Sequence, residues 1–461
     1  MTVKTIFIST GEVSGDLQGA LLIDALKRQA ASAGVELEVV ALGGSRMAEA
    51  GATLLGDTTS IGSIGLLESL PFVLPTLQIQ RRAKQYLRQH PPDLILLIDY
   101  MGPNLSIASF IRHHLPQVPV VYYIGPQDWV WSASSIVPRN TKTIVELTDH
   151  LLAIFPEEAR YFEKKGASVS WVGHPLVDRM QSSPTREEAR AALGIAPEQM
   201  AIALVPASRR QELKYMMPIV FEAAQQLQAK LRENGVTLAS GGSLRMRKRT
   251  RRELENSAAI TNQQAPLFWI PLSLEAYRPA IEAAIQHYGL NATLVAGNTQ
   301  EVLAAADLAI SKSGTVNLEL ALLDVPQVVL YRVSRLTYSI GRLLKFSISF
   351  MSPPNLVVMR QIVPELLQEQ ATPENLVKEA LELLLNPERS QQILADYQEM
   401  RQLLGEVGVC DRAAREILQL ANGEKQKQKL SSQSFGYSVS QLREVDQNNL
   451  TPNPFPTREG E

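Results

Sequence analysis

The sequence predicts an α/β protein made of two Rossmann-like, parallel-sheet domains of similar size facing each other across a cleft. Three observations predict it. Short apolar, β-branched runs alternate with helical patterns along the chain, the rhythm of parallel strands joined by crossover helices. The rhythm stops at Gly173-His174-Pro175, passes a polar stretch around Ser182 to Arg186, and restarts at Ala201. The length, 461 residues with 45% apolar side chains, suits two or three cores better than one.

Taken in order, TIFIS (Thr5 to Ser9) reads as a first strand, and the helix after it begins near Asp16. LEVVAL follows, then a helix over Thr76 to Gln89 leading into LILLID, and a helix over Leu105 to His114 leading into VPVVYYIG. LLAIF and SVSWVG close a domain over residues 1–175. AIALVP, TLVAG, DLAISKSG and VPQVVLY repeat the rhythm in a second domain over 176–372. Residues 373–421 are helical and amphipathic and pack back on the domains, whereas 422–461 are rich in Gln, Ser, Lys, Asn and Pro and read as a disordered tail.

Composition excludes several classes. A net charge of -2 gives no general electrostatic case for nucleic acid, and no apolar run approaches the ~20 residues of a membrane-spanning helix. Met1 to Thr10 lacks a signal-peptide pattern and Cys410 is the sole cysteine, so a reducing cytoplasm without disulfides is expected. The six histidines show no metal-ligand spacing, so no metal and no other cofactor is expected in catalysis. Neither a G-x-S-x-G elbow nor a phosphate-binding Walker loop is present.

Polarity concentrates where strands end. In GEVSGD, Gly11 and Gly15 permit tight backbone and close approach of a ligand, while Glu12, Ser14 and Asp16 crowd the end of the first strand. The carboxylates suit sugar hydroxyls better than a pyrophosphate, and Ser14 or Asp16 equally fits a helix cap. Asp99 leaves the buried run LILLI, a position for a general base or for a group that anchors the following turn. In the second half, Ser208 and Arg209 follow one strand and Ser313, Gly314 and Thr315 follow another. The latter opens a helix that can hold a phosphate, and Glu319 lies one turn on, placed for ribose hydroxyls. A cap for Ser313 and a solvated cation for Arg209 are the plainer alternatives.

With these residues in hand, the chain resembles the lipid-A-disaccharide synthase family of inverting, GT-B type glycosyltransferases. The resemblance rests on motifs in order over most of residues 4–420: GEVSGD, GG-SRM, GLLE, Asp99 with Asn104, YY-GP, W-W, FP-E, VGHPL-D, SR--E, SGT-NLELAL, YRVS-LTY, PNLV and VPELLQ. It implies transfer from UDP-2,3-diacylglucosamine to 2,3-diacylglucosamine 1-phosphate, forming a β-1,6 disaccharide and releasing UDP. It further implies Asp99 as base with Glu12 beside it. Ser14, Asp16 and Asn104 fall on the acceptor side, and Ser208, Arg209, Ser313, Gly314, Thr315, Asn317 and Glu319 on the UDP side.

Some positions depart from the family pattern. Ala207 stands where the family usually has glycine, Gly102 where it often has a second acid, Ser132 where an arginine commonly follows the second tryptophan, and Asp128 is an added acid. These changes surround the acceptor side and keep two alternatives in view: a UDP-sugar transferase with another lipid acceptor, and a UDP-sugar-binding homologue without catalysis. The basic run Arg245 to Arg252 fits a solvated helix face or contact with anionic lipid headgroups. A peripheral position on the inner face of the cytoplasmic membrane, and a homodimer, complete the expectations.

Overall fold

The computed structural model describes residues 3–11, 13–59, 73–126, 129–132, 140–233, 237–238, 244–245, 267–334, 338–339, 347–348 and 350–423. Glu12, Asp128, the basic run beyond Arg245 and the expected tail from 424 onward lie outside the described residues.

The chain divides into two compact units. One holds the sequence up to Asp178 and the segment beginning at Leu403; the other is Arg179–Gln402. In the first, seven strands form one parallel sheet: β1 (Val3–Ser9), β2 (Glu36–Gly43), β3 (Thr53–Asp57), β4 (Leu94–Ile98), β5 (Val120–Tyr123), β6 (His150–Ala153) and β7 (Val169–Trp171). Their order is β3-β2-β1-β4-β5-β6-β7. Every residue of β4 and β5 is buried, which is why these strands read as continuous apolar runs without alternation. Phe7, Leu97, Tyr122 and Phe162 lie in one core cluster with Ile107 and Ile111 of the helix Met101–His114.

The helix after β1 begins at Val13, three residues before the expected start at Asp16. It packs against the last described helix, Val409–Ala421, which returns to the first unit from the far end of the sequence. Asp178 holds that return by accepting the N–H groups of Gly408, Val409 and Cys410 at 2.6, 3.1 and 2.8 Å. An acid at the positive end of the helix satisfies donors that have no partner within it. Arg412 bonds the Val172 carbonyl from the same helix, and Lys4 bonds the carbonyl of Ala421 at 3.0 Å.

The second unit repeats the plan with six parallel strands: β8 (Ile202–Val205), β9 (Phe268–Leu272), β10 (Ala292–Ala296), β11 (Leu308–Lys312), β12 (Gln327–Tyr331) and β13 (Glu365–Leu367). The order is β10-β9-β8-β11-β12-β13. Pro373–Leu385 packs on Met217–Glu233, and the buried Tyr397 of Pro387–Leu404 donates to the Val325 carbonyl at 3.2 Å. The helical stretch after residue 373 is therefore shared: Pro373–Leu385 belongs to the second unit and Val409–Ala421 to the first.

In each sheet the strand order reverses once, between β1 and β4 and between β8 and β11. Open α/β sheets bind ligands beyond the carboxyl ends of the strands at such a switch point.

Candidate active site

At the first switch point the turn after β1 meets the turn after β4. A Cβ on Gly11 would lie 1.9 Å from the Tyr100 ring, and one on Gly15 would lie 1.8 Å from Thr10 Oγ1. Both glycines of GEVSGD are thus required by neighbouring protein atoms. Asp16 is 3% exposed, and its carboxylate accepts the N–H groups of Gly44 (2.7 Å), Met47 (3.2 Å) and Arg46 (3.3 Å). It ties GEVSGD to GG-SRM and caps the short helix Ser45–Glu49 in place of the helix it belongs to. Ser14 is exposed in the first turn of its helix.

Asp99 and Tyr100 both have φ of 47°, in the left-handed region. Two consecutive non-glycine residues there cost about 1–3 kcal/mol each and persist only where surrounding contacts fix them. The contacts are specific. The Asp99 carbonyl accepts the Tyr122 hydroxyl at 2.6 Å and Asn104 Nδ2 at 2.7 Å, and Asn104 Nδ2 also reaches the Ile98 carbonyl at 3.1 Å. The Asp99 N–H donates to the Ile124 carbonyl at 3.1 Å. Next along, Gly125 N–H donates to Glu158 Oε1 at 2.8 Å, and Ile154 N–H to Glu158 Oε2 at 2.9 Å. Glu158 is 1% exposed; burial pushes its carboxyl up to about 7 against these hydrogen bonds, with a smaller upward contribution from the charge of Asp99. Asn104 is fully buried and its Oδ1 has no hydrogen-bond partner. Asp99 is therefore clamped through its backbone by Tyr122, Asn104 and the strand-end turn that Glu158 braces.

The second switch point gathers charge. Glu212 Oε2 accepts the N–H groups of Ser208 (2.5 Å) and Arg209 (3.0 Å), so one carboxylate shapes the turn after β8. Lys312, the last residue of β11, stands 3.6 Å from Glu212 Oε1 with 13% of its side chain exposed. Burial pulls its ammonium down; Glu212 opposes the shift and the positive Arg209 adds to it. Burial pushes up the Tyr331 phenol at the end of β12, and Arg209 pulls it back.

After β11, the Ser313 N–H goes to the Leu330 carbonyl and its Oγ to the Met351 carbonyl at 2.6 Å, while the Gly314 N–H goes to Asn317 Oδ1 at 2.8 Å. Two donors expected for a phosphate are thus occupied, and Thr315 is the exposed member of the turn. Asn317 is fully buried, bonding Ser311 Oγ (2.7 Å) and Gln327 Oε1 (2.9 Å), which makes it a support of the turn. Glu319 pairs with Arg179 at 3.0 Å; burial raises its carboxyl and Arg179 lowers it.

The family model for lipid-A-disaccharide synthetase matches residues 6–263 and 248–420. The lipid-A-disaccharide synthase of Gloeothece citriformis is 58% identical over 414 residues, covering 90% of this chain and 99% of its own. That of Synechocystis sp. is 51% identical, covering 91% and 98%. This chain belongs to the lipid-A-disaccharide synthetase family. It is a glycosyltransferase.

The fold agrees with that membership. A putative UDP-N-acetylglucosamine 2-epimerase from Listeria monocytogenes superimposes with TM-score 0.57 at 14% identity, covering 91% of this chain and 97% of that one. MurG of Acinetobacter baumannii gives 0.50 at 13% identity, covering 90% and 99%. Both share the GT-B fold, two parallel-sheet α/β domains, with this synthetase-family chain. Tyr122, Glu158, Glu212 and Tyr331 each fall inside a family motif without being assigned a role from it, and Lys312 falls in the strand run DLAISKSG but in none of the family motifs.

Proposed function

We propose that this protein transfers diacylglucosamine from UDP-2,3-diacylglucosamine to 2,3-diacylglucosamine 1-phosphate, forming a β-1,6 disaccharide and releasing UDP. Family membership supports the reaction. The observation that carries the division of labour is the left-handed Asp99–Tyr100 pair at the first switch point, since strain held in place by several contacts is a mark of function.

Asp99 takes the proton of the acceptor hydroxyl as its oxygen attacks the anomeric carbon. The bond to the β-phosphate breaks, and the electron pair leaves with UDP. The second unit holds the UDP, with Arg209 and Thr315 meeting the diphosphate, Ser208 and Ser313 shaping the turns, and Glu319 set for the ribose. Ser14 contacts the acceptor and Glu12 is assigned to the catalytic step with Asp99; Asp16, Asn104, Gly314 and Asn317 act by holding the turns that carry the other groups.

No helix among the described residues is long and apolar enough to cross a membrane. Leu74 and Leu77 are 71% and 50% exposed at the start of the helix Val73–Gln89, which also carries Arg81, Arg82, Lys84 and Arg88. Exposed apolar side chains next to basic ones support a peripheral position on an anionic membrane surface, on the inner face of the cytoplasmic membrane.

The test is purified protein with UDP-2,3-diacylglucosamine and 2,3-diacylglucosamine 1-phosphate, reading UDP release and product mass. A disaccharide phosphate is expected. UDP release only with a different lipid acceptor would replace the proposed acceptor, and no turnover with tight UDP binding would make the chain a non-catalytic homologue.

A further inference from the structure

Lys312 is a cation with 13% of its side chain exposed that the reaction scheme above leaves without a task. It ends β11, the strand next to β8 at the second switch point, so it belongs to the same sheet edge as Arg209. Its Nζ lies over the backbone of Gly314: a Cβ there would be 2.7 Å from the ammonium. Glycine is what lets the side chain lie across the Ser313–Thr315 turn.

The charge around Lys312 is incompletely matched. Its acidic neighbour is Glu212, at 3.6 Å, a long contact through Oε1. The other oxygen of that carboxylate is already engaged by two backbone N–H groups and lies 3.2 Å from Ser208 Oγ. Arg209 adds a like charge nearby. Removing an ammonium from water is costly unless an anion is close, and a long contact to a shared carboxylate offsets only part of that cost. A doubly charged phosphate group over the turn would complete the match.

We propose that Lys312 is a diphosphate ligand that neutralises the charge developing on departing UDP, acting with Arg209. This rests on the reading that the second unit holds UDP. Preorganised cations aimed where charge develops favour the transition state over the ground state. Lys312 therefore contributes to kcat as well as to nucleotide affinity, and its contact is to phosphate and not to the nucleoside.

The experiment measures binding of UDP and of uridine to the parent protein and to Lys312→Met, Lys312→Arg and Arg209→Ala, with thermal unfolding of each. Lys312→Met is expected to weaken UDP roughly 10- to 100-fold while leaving uridine unchanged, with Lys312→Arg recovering much of the loss. Equal UDP affinity in Lys312→Met and parent overturns the proposal. So does a matching loss for UDP and uridine, which would make Lys312 a structural support of Glu212. Should Lys312→Met fail to fold, Lys312→Gln carries the same comparison. If Arg209→Ala weakens UDP and the Lys312 variants do not, the UDP site stands and this inference falls; if the parent binds no UDP, the underlying reading falls with it.

Discussion

The Tyr122 hydroxyl donates a 2.6 Å hydrogen bond to the backbone carbonyl of Asp99, from a ring that is fully buried in the sheet. The bond crosses between adjacent strand ends and pins the peptide whose side chain is the proposed base. Tyr122→Phe keeps the packing and removes this donor, leaving Asn104 to hold the same carbonyl. Stability should fall by about 0.5–1.5 kcal/mol. A loosened base should lower kcat several-fold with little change in KM. Steady-state kinetics settle it: a parental kcat would mean that Asn104 and the Ile124 contact fix Asp99 unaided.

Asp99→Asn should lower kcat by roughly 10²–10⁴, because the amide cannot accept the acceptor's proton. UDP affinity should stay parental, since the proposed nucleotide contacts lie in the second unit. Kinetics together with calorimetry in the presence of chelator check both halves. Near-parental turnover would leave Asp99 as an anchor of its turn.

Gly11→Ala should be damaging for a steric reason. The new methyl would fall 1.9 Å from the Tyr100 ring, so either the first turn or the Asp99–Tyr100 turn must move. A stability loss of about 1–3 kcal/mol is expected, with a drop in kcat of at least about tenfold. Adding Tyr100→Ala should relieve part of the stability loss. A double mutant whose destabilisation is the sum of the two single losses would show that the ring is not the obstacle.

Two buried groups set opposing pH dependences of stability. Burial raises Glu158 from 4.5 to about 7, so between these values the folded protein keeps a proton that the unfolded chain releases. Stability from this group falls as pH rises through that window. Burial lowers His174 from 6.5 to about 4, and its Nδ1 accepts the Leu176 N–H at 3.1 Å, which requires that nitrogen to be unprotonated. The unfolded chain gains that proton first, so stability from His174 is present above 6.5 and is lost as pH falls toward 4. Each is worth at most about 3 kcal/mol across its window. Denaturant titrations from pH 4 to 8 should show Glu158→Gln losing the decline toward neutral pH and His174→Phe losing the acid limb; unchanged slopes would contradict the assignments.

The legible parts of this molecule were those encoded locally. LILLI reads as a strand buried on both faces, and Asp99 as its polar exit, because five apolar residues followed by a carboxylate need no knowledge of partners. The turns after β8 and β11 were visible for the same reason. What escaped were pairings across sequence. Asp16 faces Gly44, Tyr122 faces Asp99, and Lys312 faces Glu212 one hundred residues away. Each side chain looks ordinary until the sheet order brings its partner near. The first helix starts at Val13, three residues before the sequence predicts, because Gly15 is not a turn residue: it lies inside the helix and makes room for Thr10. Asn317 read as a substrate contact because its motif does; burial among Ser311 and Gln327 shows only in three dimensions.

The helix Val409–Ala421, fastened by Asp178 to the first unit, has a consequence for how the protein is made. The ribosome finishes residues up to Asp178 long before it reaches Leu403, yet both belong to one unit. At synthesis rates of about 5–20 residues per second the gap lasts on the order of 10–50 s. Through that interval the face of Val13–Ser32 that the last helix covers stays open on the nascent chain, and the Asp178 carboxylate waits for its three donors. Among the described residues the second unit runs from Arg179 to Gln402 without a return from later in the sequence, and has no such delay. Stalled chains of which residues up to Gln402, but not the helix Val409–Ala421, have cleared the exit tunnel should therefore show a protease-resistant second unit beside a first unit that is still cleavable and engaged by chaperones, with resistance of the first appearing only once residue 421 has emerged.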